Sequence, residues 1–470
     1  MLDSSAIMTA ISADKYSKKK RQARVGQAYY DGQHDILNMR IFYIDQNGKV
    51  QEDTTRSNAR IKHPFFQEIA DQEVAYILSG GITFRSKNYP DLEKCLEKYF
   101  GDIFIGQLQE VLIDTVVRGF GYLYWYKDER NQTRFCHADS MGIVEVKDGD
   151  TTDTVNDYII RYYPVAVKNN RTATRVEVWD ANMTYYYIMT GGTLELDKNI
   201  PVNPLPHILY KGESDYYYEE MNRLPFVRLD NNRSQRSGLS NIKDIIDDYD
   251  IMNSCLTNNL QDVAEGIYVV KGFRGTSLDE LVCNVKAKKV VGVSEKGDVD
   301  IKTVNIPYEA RKIKMEIDEK NIYRFALAFN SSQSGDGNIT NIILKSRYTL
   351  LDMKAGKLIT RLKEFLQIPL NIAIDEINVA NQTSYTPEDV TIEIKPIVPT
   401  DEKEDAEIAQ LQAETVQTKV STVLDIAPLV DEETLLQEIC SVMELDYEDV
   451  KKKMLQPDEA AAIREVLSLE

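Results

Sequence analysis

Histidine is scarce in this 470-residue chain: His34, His63, His137 and His207 are its four copies, each alone in its segment. With no HExxH and no paired Cys/His spacing, the sequence offers no zinc site. The five cysteines, Cys95, Cys136, Cys255, Cys283 and Cys440, are odd in number, far apart and without a CxxC pair. That usage reads as buried reduced thiols. Also missing is any run of about 18 apolar residues, and the first residues, MLDSSAIMTAISADKYSKKK, do not follow a basic region with an apolar one. A chain made in the cytoplasm, with no membrane span, is expected. The glycine clusters KGFRGTS (271–277) and SGDGN (334–338) lack the GK[ST] ending that places a lysine on phosphates, so neither is a Walker loop. No nucleophile, base or cofactor site emerges, and the expectation is a protein without cofactor or metal that is not an enzyme.

What the chain does have is acid. Asp and Glu number 75 against 56 Lys and Arg, a formal charge of -19, while hydrophobic residues make up 43%. The apolar share suffices for a large core, and the length suggests about three domains. The excess is uneven: residues 401–470 carry 19 acidic and 6 basic side chains. A protein that grips DNA through its phosphates needs a basic stripe that releases counterions. Bulk composition excludes such a gripper but leaves room for weak contact.

Along the chain, KYSKKKRQAR (15–24) holds six cations and reads as a solvated helix face, with a phosphate-binding arm as the second reading. Asn47-Gly48, between IFYI and KVQ, reads as a tight hairpin turn and not a calcium loop, because the glycine of DQNGKVQED comes at the fourth position instead of the sixth. Ile69, Val74, Ile77 and Leu78 predict a helix within 58–84 that Gly80-Gly81 stops, and a second helix covers about 101–118. Residues 121–230 alternate and are rich in tyrosine, a β region. Ile242, Ile245, Ile246, Tyr249, Met252, Leu256, Leu260 and Val263 then recur at three and four, a helix of about 39 Å over 239–264. Strands at 266–273, 288–294 and 299–306 form a small α/β insertion. A helix follows from Tyr308 to about Phe329, then the polar loop NSSQSGDGNIT (330–340), then a long helix from Asn341 to about Glu376, with a kink or break expected near Ile368 because of Pro369. A strand at 390–399 precedes two acidic helices.

This order resembles the portal proteins of tailed bacteriophages, the head-to-tail connectors of double-stranded DNA phages. The stretches that carry the likeness are YYDGQHDIL, NARIKHPFFQEIADQEVAYILSG, RLPFVRLDNNRSQRSGLSNIKDIIDDYDIMNS with IYVVKGF, GNITNIILKSRYTLLDMKAGK, and IEIKPIVPTDEKEDAEIAQL, over about residues 25–445. The fold implied is α+β, mainly helical, with wing, stem, clip and crown assembled as a ring around a central channel. By matching segments, the wing is 1–238 with 341–399, the stem helices are 239–264 and 308–329, the clip is 265–307, the tunnel loop is 330–340, and the crown is 400–470. Two departures stand out: Thr340, Asn341 and Ile342 stand where many relatives have a serine or glycine after the loop, and the clip of about forty residues is short.

The resemblance implies a ring, usually of twelve subunits, at one capsid vertex of the virion, assembled in the host cytoplasm. It conducts double-stranded DNA during packaging and ejection. Its partners would be the terminase large subunit, the head-completion adaptor, and the major capsid and scaffolding proteins. In the tunnel loop, Ser331, Ser332, Gln333, Ser334 and Asn338 would touch the DNA backbone, with Lys345 or Arg347 supplying nearby charge; the plain alternative is an exposed connector. The first stem stretch has five aspartates against Lys243, so Asp244, Asp247 and Asp248 would line the channel as a repulsive wall. The clip has seven basic and five acidic residues in 268–307, and Lys286, Lys288 and Lys289 would dock an acidic partner. Two other readings stay open: a metal-dependent phage nucleic-acid enzyme using Asp244, Asp247 and Asp248, and an acidic scaffold without a channel.

Overall fold

The computed structural model describes residues 2–398, except 46, 55, 129–131, 148–156, 168–170, 212–215, 264–266, 274, 276, 278–280, 282–292, 303–306 and 331–340, together with scattered positions from 410 to 450. Two compact units divide the chain, one of residues 1–335 with 348–397 and the other of 336–347 with 398–470. The expected strand at 288–294 lies largely outside the described residues, as do most of the two acidic helices.

The chain begins with α1 (Ser4–Lys15) and α2 (Lys18–Tyr30), each started by a side-chain cap, Asp3 to the Ala6 amide and Ser17 to the Lys20 amide. The basic stretch is only partly the solvated face expected of it. Lys15, Lys18, Arg21 and Arg24 are exposed, but Lys20 is fully buried, its ammonium donating to the carbonyls of Ser140 (2.6 Å), Met141 (3.2 Å) and Ile143 (2.9 Å). Burial, partly offset by Asp14, lowers the Lys20 pKa to about 8. Gly26 brings α2 against a later helix so closely that a Cβ there would stand 2.1 Å from the Val117 carbonyl oxygen.

The hairpin β1 (Phe42–Ile44) and β2 (Val50–Glu52) turns at Asn47-Gly48 as expected, with Gly48 at φ +74. Helix α3 (Phe65–Leu78) ends before Gly81, which has φ +72, and leads to β3 (Ile82–Arg85). Helix α4 (Pro90–Glu97), which the sequence pattern did not reveal, is started by a proline in its first turn. Helix α5 (Asp102–Arg118) buries Phe104, Leu108, Val111, Leu112, Val116 and Val117, and Gly119 at φ +97 closes it in the left-handed conformation.

The tyrosine-rich region, among its described residues, has strands that all pair antiparallel. It contains β4 (Phe120–Lys127), β5 (Thr133–Ala138), β6 (Ile143–Val146), β7 (Tyr158–Val167), β8 (Arg171–Trp179), β9 (Met183–Thr190), β10 (Thr193–Leu196), β11 (Leu205–Pro206), β12 (Ile208–Lys211), β13 (Tyr216–Glu219) and β14 (Phe226–Asp230). One sheet runs β10-β9-β8-β7-β6, with β11 on β9, and another runs β14-β4-β5. Inward residues Val144, Ile160, Val176, Val178 and Tyr187 of the larger sheet meet Ile7 and Ile11 of α1.

A 3-10 turn (Gly238–Asn241) then leads into α6 (Lys243–Val263). The insertion contains β15 (Ile267–Phe273) paired with β16 (Val293–Lys302), one continuous strand that joins ends of two expected separately. Helix α7 (Tyr308–Ala326) stops three residues sooner than expected, capped by Leu327 in the left-handed region at φ 55. Helix α8 (Asn341–Asn381) contains Pro369 without a break, so a break at Ile368 is not found. Proline removes one backbone donor there, but Leu362, Phe365, Leu366, Leu370, Ala373, Ile374 and Ile377 are buried on both sides of it. Each large side chain among them contributes about 1.5–3 kcal/mol, which outweighs one lost bond. Finally β17 (Thr391–Ile394) pairs with β3, Ile392 opposite Phe84.

Candidate functional site

The two helices that follow the β region, α6 and α7, lie together and are joined by a lysine. Lys314 on α7 donates to both Asp248 on α6 and Asp318 on its own helix. Burial opposes its charge, but the two carboxylates prevail and raise its pKa. Both helices also leave apolar side chains in solvent. Ile251 is 44% and Leu260 54% exposed on α6, and Ile313 is 53% and Ile317 50% exposed on α7.

Beyond Ile246, what α6 buries among its described residues is polar. Residues 243, 247, 250, 254 and 258 fall at the helical spacing of three and four, and they face the segment from Tyr29 to His63. Lys243 pairs with Asp35 (2.6 Å) and Asp247 (2.6 Å), and Asp247 also accepts from the Tyr29 hydroxyl. Asp250 is 0% exposed. Its two oxygens take the Nδ1 atoms of His34 and His63, each at 2.7 Å, and it accepts the His63 amide at 3.0 Å. Burial would raise the Asp250 carboxyl, but the bonds and charge it shares with His34 and His63 hold it below the usual carboxylate value. Asn253 reaches His63 Nε2 at 2.8 Å, Ser254 accepts the Ile61 amide at 3.0 Å, and Asn258 accepts the Ala59 amide at 2.6 Å. The side-chain acceptors thus satisfy the amides of residues 59, 61 and 63, which lie in no helix or strand.

These observations locate the sequence-derived site residues. Asp244 is exposed, while Asp247 and Asp248 are half-buried and paired with lysines of the same chain. Asp250, the next aspartate along the helix, is fully buried. Among the described residues no group of three or more His, Cys, Asp or Glu side chains is placed to hold a metal ion, so Asp244, Asp247 and Asp248 do not supply the metal enzyme reading with a site. Lys345 and Arg347 fall in the first turns of α8, their side chains outside the described residues. Ser331, Ser332, Gln333, Ser334 and Asn338, and likewise Lys286, Lys288 and Lys289, lie outside the described residues.

The backbone on either side of residues 330–347 is described. Phe329 stacks on Tyr348 with ring centroids 4.8 Å apart and planes at 13°. Tyr76 of α3 approaches the same Tyr348 ring at 5.9 Å and donates to Asp352 at 3.0 Å, and Glu73 pairs with Lys354 at 2.6 Å. Burial and the Asp352 carboxylate push the Tyr76 hydroxyl up to about 12. Sequence reasoning missed Gln72, Asp250, His34 and His63 as structural keys. The histidines drew notice only for being isolated, and nothing local shows that they converge.

A family model described as phage portal protein, SPP1 Gp6-like, matches residues 10–453. The chain belongs to this portal family. Two portal proteins are similar to it: that of Bacillus phage SPP1, 28% identical over 339 residues, and that of Clostridium phage phiCD119, 26% identical over 457 residues. The first match covers 70% of this chain and 65% of the SPP1 protein, and the second covers 88% and 97%. The mixed helix and strand architecture is thus that of a portal-family chain, and among its described residues no helix is long and apolar enough to cross a membrane.

Proposed function

We propose that this chain forms the ring-shaped DNA conduit at one capsid vertex, serving genome packaging, head-to-tail joining and DNA ejection, without enzymatic activity of its own. The observation that carries the proposal is the portal family match across 10–453. In this reading α6 and α7 are the stem, 265–307 is the clip, 330–340 is the tunnel loop, 400–470 is the crown, and the rest is wing. Exposed Ile251, Leu260, Ile313 and Ile317 support the ring, because a stem helix in a closed assembly needs apolar surface left over for its neighbours. Twelve subunits are proposed, with host cytoplasm as the place of assembly.

The channel wall would be less acidic than composition suggests, because lysines of the same chain answer Asp247 and Asp248 and leave Asp244 as the exposed carboxylate of the three. Ser331, Ser332, Gln333, Ser334 and Asn338 would make transient contacts with double-stranded DNA, near Lys345 and Arg347. Lys286, Lys288 and Lys289 would dock the terminase large subunit and then the head-completion adaptor, while capsid and scaffolding proteins surround the wing. Electron microscopy of purified particles tests the reading: a closed ring with a channel wide enough for duplex DNA is expected. A monomer that cleaves DNA in the presence of a divalent cation would overturn it.

A further inference from the structure

Helix α3 touches three parts of the chain from one face. Glu68 accepts the Tyr323 hydroxyl at the end of α7 (2.8 Å), Gln72 meets Phe329, and Glu73 and Tyr76 hold Lys354 and Asp352 on α8. Of these contacts the one at Gln72 is the most demanding. Its Nε2 donates to the Phe329 carbonyl at 3.0 Å while its Oε1 accepts the Phe329 amide at 2.9 Å. A primary amide is the side-chain group that supplies a donor and an acceptor side by side, so it pairs with a single residue's backbone as a neighbouring strand would.

Two residues earlier the chain is strained. Leu327 has φ 55 and ψ 44, a left-handed conformation unfavourable for a non-glycine residue, which persists only where surrounding contacts impose it. The helix cap supplies two of them, the Leu327 amide donating to the Arg324 carbonyl at 3.3 Å and the Ala328 amide to the Tyr323 carbonyl at 3.0 Å. Just beyond it the chain is held by the backbone pair at Phe329, the bond from Asn330 to Glu319 at 3.3 Å and the Phe329–Tyr348 stack. The stack also closes the chain on itself, since Phe329 and Tyr348 flank residues 330–347.

We propose that Gln72 is a positioning residue for DNA passage, fixing where the tunnel loop leaves the stem by clamping the Phe329 backbone against Tyr348. The proposal rests on the reading of 330–340 as a DNA-facing loop. Gln72 touches no DNA; it sets the frame from which the loop extends.

The test uses the full chain in Gln72→Ala, assembled into proheads and given linear double-stranded DNA with its packaging motor. Rings of wild-type mass should form, hydrogen exchange at the Phe329 amide should accelerate at least tenfold, and nuclease-protected DNA should fall at least threefold. Ile77→Val, a truncation of a fully buried side chain on the same helix, is the control for general loosening. It should lower the melting temperature while packaging stays at the wild-type level. Wild-type packaging by Gln72→Ala, or an equal packaging loss in Ile77→Val, would overturn the positioning role. Deletion of 331–337 separates the two levels: if it leaves packaging unchanged, the DNA-facing reading itself fails, whereas a packaging loss on deletion with none in Gln72→Ala sinks only the clamp.

Discussion

Two long helices, α6 and α8, are held in opposite ways. Helix α8 is fixed by an apolar stripe in which Leu351, Ala355, Leu358, Leu362, Leu366 and Leu370 are all nearly or fully inaccessible. Helix α6 buries Ile246 near its start, next to Ile242 just before it, and thereafter a polar seam of Asp250, Ser254 and Asn258, with Ile251 and Leu260 turned to solvent. Apolar packing is tolerant of small rotations because it has no direction. A seam of charged and hydrogen-bonded groups holds one register and fails if shifted. Helix α6 thereby gains a defined orientation without using up the apolar surface that a neighbouring subunit would need.

The contrast can be broken most severely at Asp250. Asp250→Ala strands His34, His63 and the His63 amide in a buried site, and urea denaturation should show a loss of about 3–5 kcal/mol. On the other helix Leu362→Ala should cost about 2–4 kcal/mol by leaving a cavity, with no change in the pH dependence of stability. That difference in pH response sharpens the comparison. Because the folded Asp250 carboxyl lies below its ordinary value, its stabilising contribution is present above about pH 4 and is lost as pH falls through the folded value. Melting curves between neutral pH and pH 3 should therefore fall less steeply in Asp250→Asn than in wild type, and parallel curves would show that the seam carries no such linkage. Ser254→Ala should cost about 1–2 kcal/mol, the price of leaving the Ile61 amide without its acceptor. The smallest effect is expected from Ile251→Ser, within about 1 kcal/mol in the unassembled chain because nearly half of the residue's surface is already in water. The same change should weaken ring assembly in native mass measurements, and unaltered assembly would remove Ile251 from the subunit contact.

The same contrast explains what could be read from sequence. Periodicity located α5, α6 and α8 because it reports apolar burial, and in α5 and α8 apolar burial does hold the helix. In α6 it picked out the right helix and the buried Ile242 and Ile246, but not the polar continuation of that face at Asp250, Ser254 and Asn258, while Leu260 at the far end of the apolar pattern is 54% exposed. Nothing local marks Asp250 as buried, because its partners stand 216 and 187 residues away. Of the kink or break expected near Ile368, the break is not found for a related reason: a local rule about one hydrogen bond met a row of tertiary contacts. The order of helices around the insertion and the polar loop was legible, and with it the resemblance that the family match bears out. Gln72 was not, because an amide that pairs with backbone leaves no mark in composition or spacing.

Gly26 has a consequence that reaches beyond its own contact. A helix crossing padded by side chains has adjustable spacers, since rotamers can change to absorb a misfit. At Gly26 the α2 backbone meets the Val117 carbonyl with nothing in between, so the crossing works as a machinist's datum from which later positions are measured. Tyr29 follows three residues on, nearly one turn, and delivers its hydroxyl to Asp247. His34 comes next and finds Asp250. The accuracy of a polar seam on α6 is therefore inherited from an atom that is absent on α2.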